Sequence, residues 1–182
     1  MDAADHEPNG SGASSSHAST EGANPTPNRR PDSSFTFAMG DFVARFPGDR
    51  EYATNHMWAS AVDANRFRLG LTAYAVRLLQ DVYFLDWLLE PPAALQRRQT
   101  IGSIESKKAE SDLFSPADGK LIAINDAVID DPSLINADTY GDGWLIEIIS
   151  DDPPWLSPDG YAEHLVDAWD VAQRTIKGQA NH

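Results

Sequence analysis

Apolar and polar positions alternate along most of this chain, in runs too short for long helices. Met57, Ala59 and Ala61 alternate with His56, Trp58 and Ser60. After a turn at Asp63-Ala64-Asn65, Phe67, Leu69 and Leu71 alternate with Arg66, Arg68 and Gly70. Successive strand side chains point to opposite faces, so two strands joined as a hairpin is the simplest account. Residues 81–89 form a further apolar strand rich in aromatics, broken by Glu90-Pro91-Pro92. Shorter strands are expected at 119–125 and 144–149. Helical signals are fewer: Thr72 caps a turn or two over 72–80, and residues 130–136 supply a short capped helix and a turn. Ser157-Pro158 opens a longer helix in which Tyr161, Leu165, Trp169, Ala172 and Ile176 make one apolar stripe, with acids toward its start and Lys/Arg toward its end. Residues 35–46 are ambiguous. Phe35 and Phe37 alternate as in a strand, while Phe42 and Phe46 fall at helical spacing before the turn Phe46-Pro47-Gly48-Asp49. Many short strands, turns rich in Gly, Pro and Asp, and little helix predict a mainly β fold, a barrel or sandwich with a C-terminal helix.

Composition changes this picture at the amino end. Residues 1–34 are mostly Ser, Gly, Ala, Asn, Pro and acids, with no large apolar side chain after Met1. Such a segment buries too little surface to offset its chain entropy and is expected to be disordered. The predicted organisation is therefore a tail at 1–34, an aromatic lead-in at 35–50, a barrel at 51–150 and a C-terminal helical segment at 151–182. The net charge of −14 makes nucleic acid an unexpected partner, and acidity could steer docking onto basic rims of other proteins. No run of 18 apolar residues spans a membrane, and the acidic amino terminus argues against a secretory signal or an Arg-rich transit peptide. A cytoplasmic protein is expected. Without Cys there is no disulfide, thiolate nucleophile or Cys-based metal site. The His residues show no ligand spacing, and no phosphate loop or Ser/His/Asp order is present, so an autonomous enzyme is not expected.

The candidate chemistry lies in residues 101–116, Ile-Gly-Ser-Ile-Glu-Ser-Lys-Lys-Ala-Glu-Ser-Asp-Leu-Phe-Ser-Pro. Apolar residues stand at both ends (Ile101, Ile104, Leu113, Phe114) around a polar centre containing two adjacent lysines. This reads as two strands joined by a tight solvated loop with an amine at its tip. By itself a Lys-Lys pair is usually only a solvated face.

The words around it resemble the glycine cleavage H-protein family. Asn55-His56-Met57-Trp58 comes first, then Gly70-Leu71-Thr72, Gln80-Asp81-Val82-Tyr83, Glu105-Ser106-Lys107-Lys108-Ala109 and Phe114-Ser115-Pro116-Ala117-Asp118-Gly119. Ile124-Asn125-Asp126-Ala127 follows, and the most specific blocks come last: Asp131-Pro132-Ser133-Leu134-Ile135-Asn136 and Tyr140-Gly141-Asp142-Gly143-Trp144-Leu145-Ile146. The resemblance implies a flattened barrel of the lipoyl-domain (hybrid-motif) type, with lipoate bound as an amide to Lys108 and with Glu105, Ser106, Ala109 and Asp112 around the cofactor. It implies a carrier that does no bond chemistry of its own. The lipoyl group would accept an aminomethyl group from glycine decarboxylase, yield it to a tetrahydrofolate-dependent aminomethyltransferase, and be reoxidised by dihydrolipoyl dehydrogenase. A lipoate ligase or lipoyltransferase would attach it.

Departures from the family pattern cluster where the loaded arm is held. The family's Glu in the His-Glu-Trp word and the Ser two places before it are Met57 and Asn55 here; a His is replaced by apolar residues around Leu78, and a Gly by Gln80. Asp112 alone keeps a carboxylate, and Lys107 stands where the family mostly has an apolar residue. His56, Trp58 and Trp144 read more simply as packing residues, while Glu105 and Glu110 could serve only solubility. Two alternatives stay open: a lipoyl carrier for lipoyl transfer or another oxidative system, and an unmodified barrel that only binds partners. A biotinyl carrier fits poorly, because its lysine is normally flanked by Met.

Overall fold

The computed structural model describes residues 34–179, with side chains through Thr175. The strands are β1 (Phe35–Met39), β2 (Phe42–Phe46), β3 (Glu51–Tyr52), β4 (Met57–Ala61), β5 (Arg66–Leu71), β6 (Val82–Trp87), β7 (Ala93–Leu95), β8 (Thr100–Ser106), β9 (Glu110–Phe114), β10 (Gly119–Ile124) and β11 (Ile146–Ile149). The helices are α1 (Ala73–Leu79), α2 (Asp126–Asp130), α3 (Leu134–Ala137) and α4 (Pro158–Gln179). A six-stranded sheet runs β3-β4-β5-β11-β10-β7, a three-stranded sheet runs β6-β8-β9, and β1-β2 pair by themselves. Every named pairing is antiparallel.

The two larger sheets close on an aliphatic core. Met57, Ala59, Leu69, Leu71, Leu121, Ile146 and Ile148 from one meet Val82, Leu85, Ile101, Ile104 and Leu113 from the other. Apolar area removed from water at about 25 cal/mol per Å² is the main force holding such a sandwich closed. A second core, mostly aromatic, lies behind β4: Phe46, Tyr52, Trp58, Tyr74, Tyr161 and Leu165, with Met39 and Ala44. Its rings are interlocked; Tyr52 and Tyr161 stack at 4.6 Å and Phe35 and Phe46 at 4.7 Å. The outer hairpin β1-β2 and the helix α4 cover this layer, which is why Tyr161 and Leu165 of the predicted stripe are fully buried. Trp169 and Ala172 are half-buried.

Several elements differ from the pattern in the sequence. Residues 35–46 are a hairpin, turned at Gly40 with φ +66, and the helical spacing of Phe42 and Phe46 is coincidental: Phe42, Ala44 and Phe46 share one strand face. Strand β4 is buried on both faces, so Trp58 is as inaccessible as Met57 and Ala59, and the expected inside-outside alternation fails there. It fails because a third layer, distant in sequence, covers the outer face. The short edge strand β7 and helix α2 carry no periodic signal. Trp144 is half-buried and precedes β11, its ring lying under the Arg68 guanidinium at 4.6 Å. The expected tail lies, apart from Ser34, outside the described residues, as does the side chain of Ile176.

Candidate functional site

The hairpin β8-β9 is in register up to Glu105↔Glu110, so its ladder ends one residue short of the tip. Ser106 closes it. Its amide donates to the Ala109 carbonyl at 2.9 Å and its hydroxyl to the same oxygen at 3.0 Å. That hydroxyl also accepts from the Ala109 amide at 3.2 Å. Lys107 and Lys108 are thereby left as the two central residues of a turn fastened from within by one buried serine.

The two lysines are then separated by their surroundings. Pairing of Val82 with Ser106 brings Asp81 beside the tip, where the Lys107 ammonium donates to the Asp81 carboxylate at 2.6 Å and the Lys107 amide to the Asp81 carbonyl at 3.1 Å. The hydrogen bond and charge of Asp81 raise the Lys107 pKa. Lys108 is exposed, and its ammonium has no ion-pair partner among the described residues. Of the two amines, 107 is tied down and 108 is free.

The other anticipated residues divide. Ala109 is exposed at the tip and Glu105 is half-buried in β8, opposite Glu110. Ser106 faces inward, so its place is in holding the turn. Asp112 is exposed on β9, away from the tip, and lines a cavity of about 220 Å³ between β9 and α1. Asn55, His56, Met57, Leu78 and Phe114 line the same cavity, so three of the positions where the sequence departs from its pattern come together, while Gln80 and Lys107 lie outside it. Asn55 donates to the Phe114 carbonyl at 3.0 Å, while its own Oδ1 is buried without a partner. His56 brings no charge there at neutral pH. Burial, with the neighbouring His164, lowers its pKa to about 4, and its Nδ1 lies 3.0 Å from the Tyr161 hydroxyl. Among the described residues, the cavity lining carries one carboxylate, Asp112, and no cation at neutral pH. An anionic acceptor with no opposing cation fits a positively charged, slender group.

Behind the tip, the chain from α1 to β6 turns at Gln80, whose φ of 65° and ψ of −141° suit glycine far better. Asn136 fastens it, donating to the Gln80 carbonyl at 2.8 Å and accepting from the Val82 amide at 3.1 Å. Sequence reasoning did not find Asp81 or Asn136 as supports of the tip. No local spacing signals either, since each acts across a tertiary contact.

The sequence model of the glycine cleavage H-protein family matches residues 50–171. The chain belongs to the glycine cleavage H-protein family. The glycine cleavage system H protein of Rubrobacter xylanophilus is 37% identical over 124 residues, covering 68% of this chain and 97% of that protein. That of Mycolicibacterium gilvum is 33% identical over 132 residues, covering 69% and 100%. Among solved structures, a glycine cleavage system H protein from Mycobacterium marinum superimposes with a TM-score of 0.59 at 34% identity, covering 65% of this chain and 97% of that one. The lipoyl-type barrel expected from the sequence is the fold found. The β1-β2 hairpin precedes the residues matched by the family model.

Proposed function

We propose that Lys108 is the lipoyl-bearing residue and that the chain serves as the lipoyl carrier of a glycine cleavage system. The observation that carries the assignment is the unequal fate of the two neighbouring amines, one paired with Asp81 and one free at the apex of a fastened turn. Attachment forms an amide, so the lysine charge is lost, and a free, unpaired amine is the one that meets an attaching enzyme without first breaking an ion pair. When bound, lipoate supplies the sulfurs that take up and release the aminomethyl group. This chain's residues supply a fixed origin for the arm and a place to hold its loaded end. Asp112 holds that cationic end in the small cavity, while Met57, Leu78 and Phe114 exclude water around it. The carrier itself makes and breaks no substrate bond. Its partners on this reading are glycine decarboxylase, aminomethyltransferase, dihydrolipoyl dehydrogenase and a lipoate ligase or lipoyltransferase, in the cytoplasm. Residues 51–150 form the carrier barrel, with 35–50 and the described part of the C-terminal segment from 151 as its cover.

Co-expression with a lipoate ligase or lipoyltransferase, then intact-mass measurement and peptide mapping, tests the assignment. One lipoyl group on the peptide containing Lys108, lost in Lys108→Arg and kept in Lys107→Arg, is expected. Modification that survives Lys108→Arg overturns it. Glycine-bicarbonate exchange with glycine decarboxylase then checks the system served.

A further inference from the structure

A second groove opens on the other side of α1. It has a volume of about 580 Å³ and is lined by Met39, Arg77, Leu78, Gln80, Trp169 and the tip residues Lys108 and Ala109. Met39 belongs to the β1-β2 hairpin and Trp169 to the C-terminal helix, so the layers that cover the barrel supply two of its walls. Leu78 borders this groove and the smaller cavity alike.

The two spaces differ in charge. The lining of the smaller cavity has one carboxylate and no cation at neutral pH. Among the described residues the lining of the groove has no carboxylate; its charges are Arg77, whose guanidinium sits 4.6 Å from the centre of the Phe42 ring, and the Lys108 ammonium, which amide formation would remove. Its remaining lining mixes the polar Gln80 with Ala109, Met39, Leu78 and the Trp169 ring. Sulfur against an aromatic ring is a favourable contact, and a volume of this order suits a small ligand. Because Lys108 forms part of the lining, a group attached to its amine has the groove within reach.

We infer that the groove is a resting site for the uncharged, oxidised lipoyl arm, and that the two spaces on either side of Leu78 sort the arm by charge. The neutral arm lies along Met39 and Trp169, where Arg77 disfavours a cation. The aminomethylated arm crosses Leu78 to Asp112. This inference rests on lipoylation at Lys108. It adds a function for the β1-β2 hairpin and α4, which form a wall that holds the idle arm.

The test uses full-length protein whose lipoylation has been established by intact mass. Methyl-labelled methionine and Trp indole NMR spectra of the unmodified and oxidised lipoylated forms are compared. Shifts at Met39 and Trp169 are expected, with the Met57 methyl unmoved. Reduction of the dithiolane by a small phosphine is expected to be severalfold slower than in Trp169→Ala, and unchanged by Leu88→Ala on the exposed surface. A lipoylated protein with unmoved Met39 and Trp169 signals, or with shifts confined to Met57, overturns the inference while leaving the carrier function standing. Absence of the lipoyl mass overturns both.

Discussion

The hairpin tip and the aromatic layer behind β4 stand at opposite extremes. At the tip, Lys107 to Glu110 are all exposed, and the turn is held by one serine hydroxyl, a few backbone hydrogen bonds and a surface ion pair. In the layer, Trp58 is 1% exposed, its indole donates to the Thr139 carbonyl at 2.9 Å, and Arg50 lies over its ring at 4.5 Å. Even Gly70 is fitted to it, since a Cβ there would approach the indole to 2.7 Å. The difference teaches where stability and carrier chemistry reside. Burial and interlocking rings hold the scaffold, and the reactive amine stands where almost nothing depends on it.

Substitutions should therefore separate the two properties. Trp58→Ala removes the largest buried side chain and is expected to lose about 3–5 kcal/mol in denaturant unfolding, while protein that still folds keeps modification at Lys108. Lys108→Ala should do the reverse, abolishing modification with a stability change within about 0.5 kcal/mol. A comparable stability loss at both positions would break the contrast.

Acid should act on the layer and spare the tip. His56 stays neutral in the fold down to about pH 4, whereas the unfolded chain takes up the proton near its ordinary pKa of 6.5. Its contribution is complete above pH 6.5 and is lost as pH falls toward 4, on the order of 2 kcal/mol between pH 7 and pH 5. Unfolding measured across that range should show a shallower slope in His56→Asn, a residue that tolerates the positive φ of 65° at this position. Below that window a second loss begins at Glu147. Burial pushes its pKa up, but hydrogen bonds and charge from Arg66 and Arg68 outweigh this and hold it below the usual value.

Smaller effects probe the supports between the two regions. Gln80→Gly relieves a left-handed backbone and is expected to raise stability by about 1 kcal/mol in thermal unfolding. Unchanged or lowered stability would mean that Asn136 already compensates the strain. Asp81→Asn should alter stability least, since water and salt screen an exposed ion pair. It should nevertheless let a minor fraction of lipoyl groups appear on Lys107 in peptide maps. Modification that remains confined to Lys108 would show that turn geometry alone selects the amine.

Much of the fold was legible because most strands have one face to the inner core. The alternation in 66–71 survives as Phe67, Leu69 and Leu71 pointing inward with Arg66 and Arg68 gripping Glu147 outside. It misled where a third layer was added, at Trp58 and in 35–46, since a segment cannot signal what will later cover it. At the site, the tip was legible as a local word. Asp112 and Asn55 were brought to one site only by the resemblance, because β9 and the approach to β4 meet through space, as in the hydrogen bond from Asn55 to the Phe114 carbonyl, and no local spacing signals it.

By itself the sequence determined the strands around 57–71 and 82–87, the turn that displays Lys108 and the Thr72 cap of α1, all consequences of periodicity and short-range hydrogen bonding. Only the tertiary structure decided which lysine is free, which cavity carries the carboxylate and what the β1-β2 hairpin encloses. Those depend on Asp81, Asp112 and Met39 arriving from elsewhere in the chain, and electrostatics and packing act through space whatever the separation along the backbone.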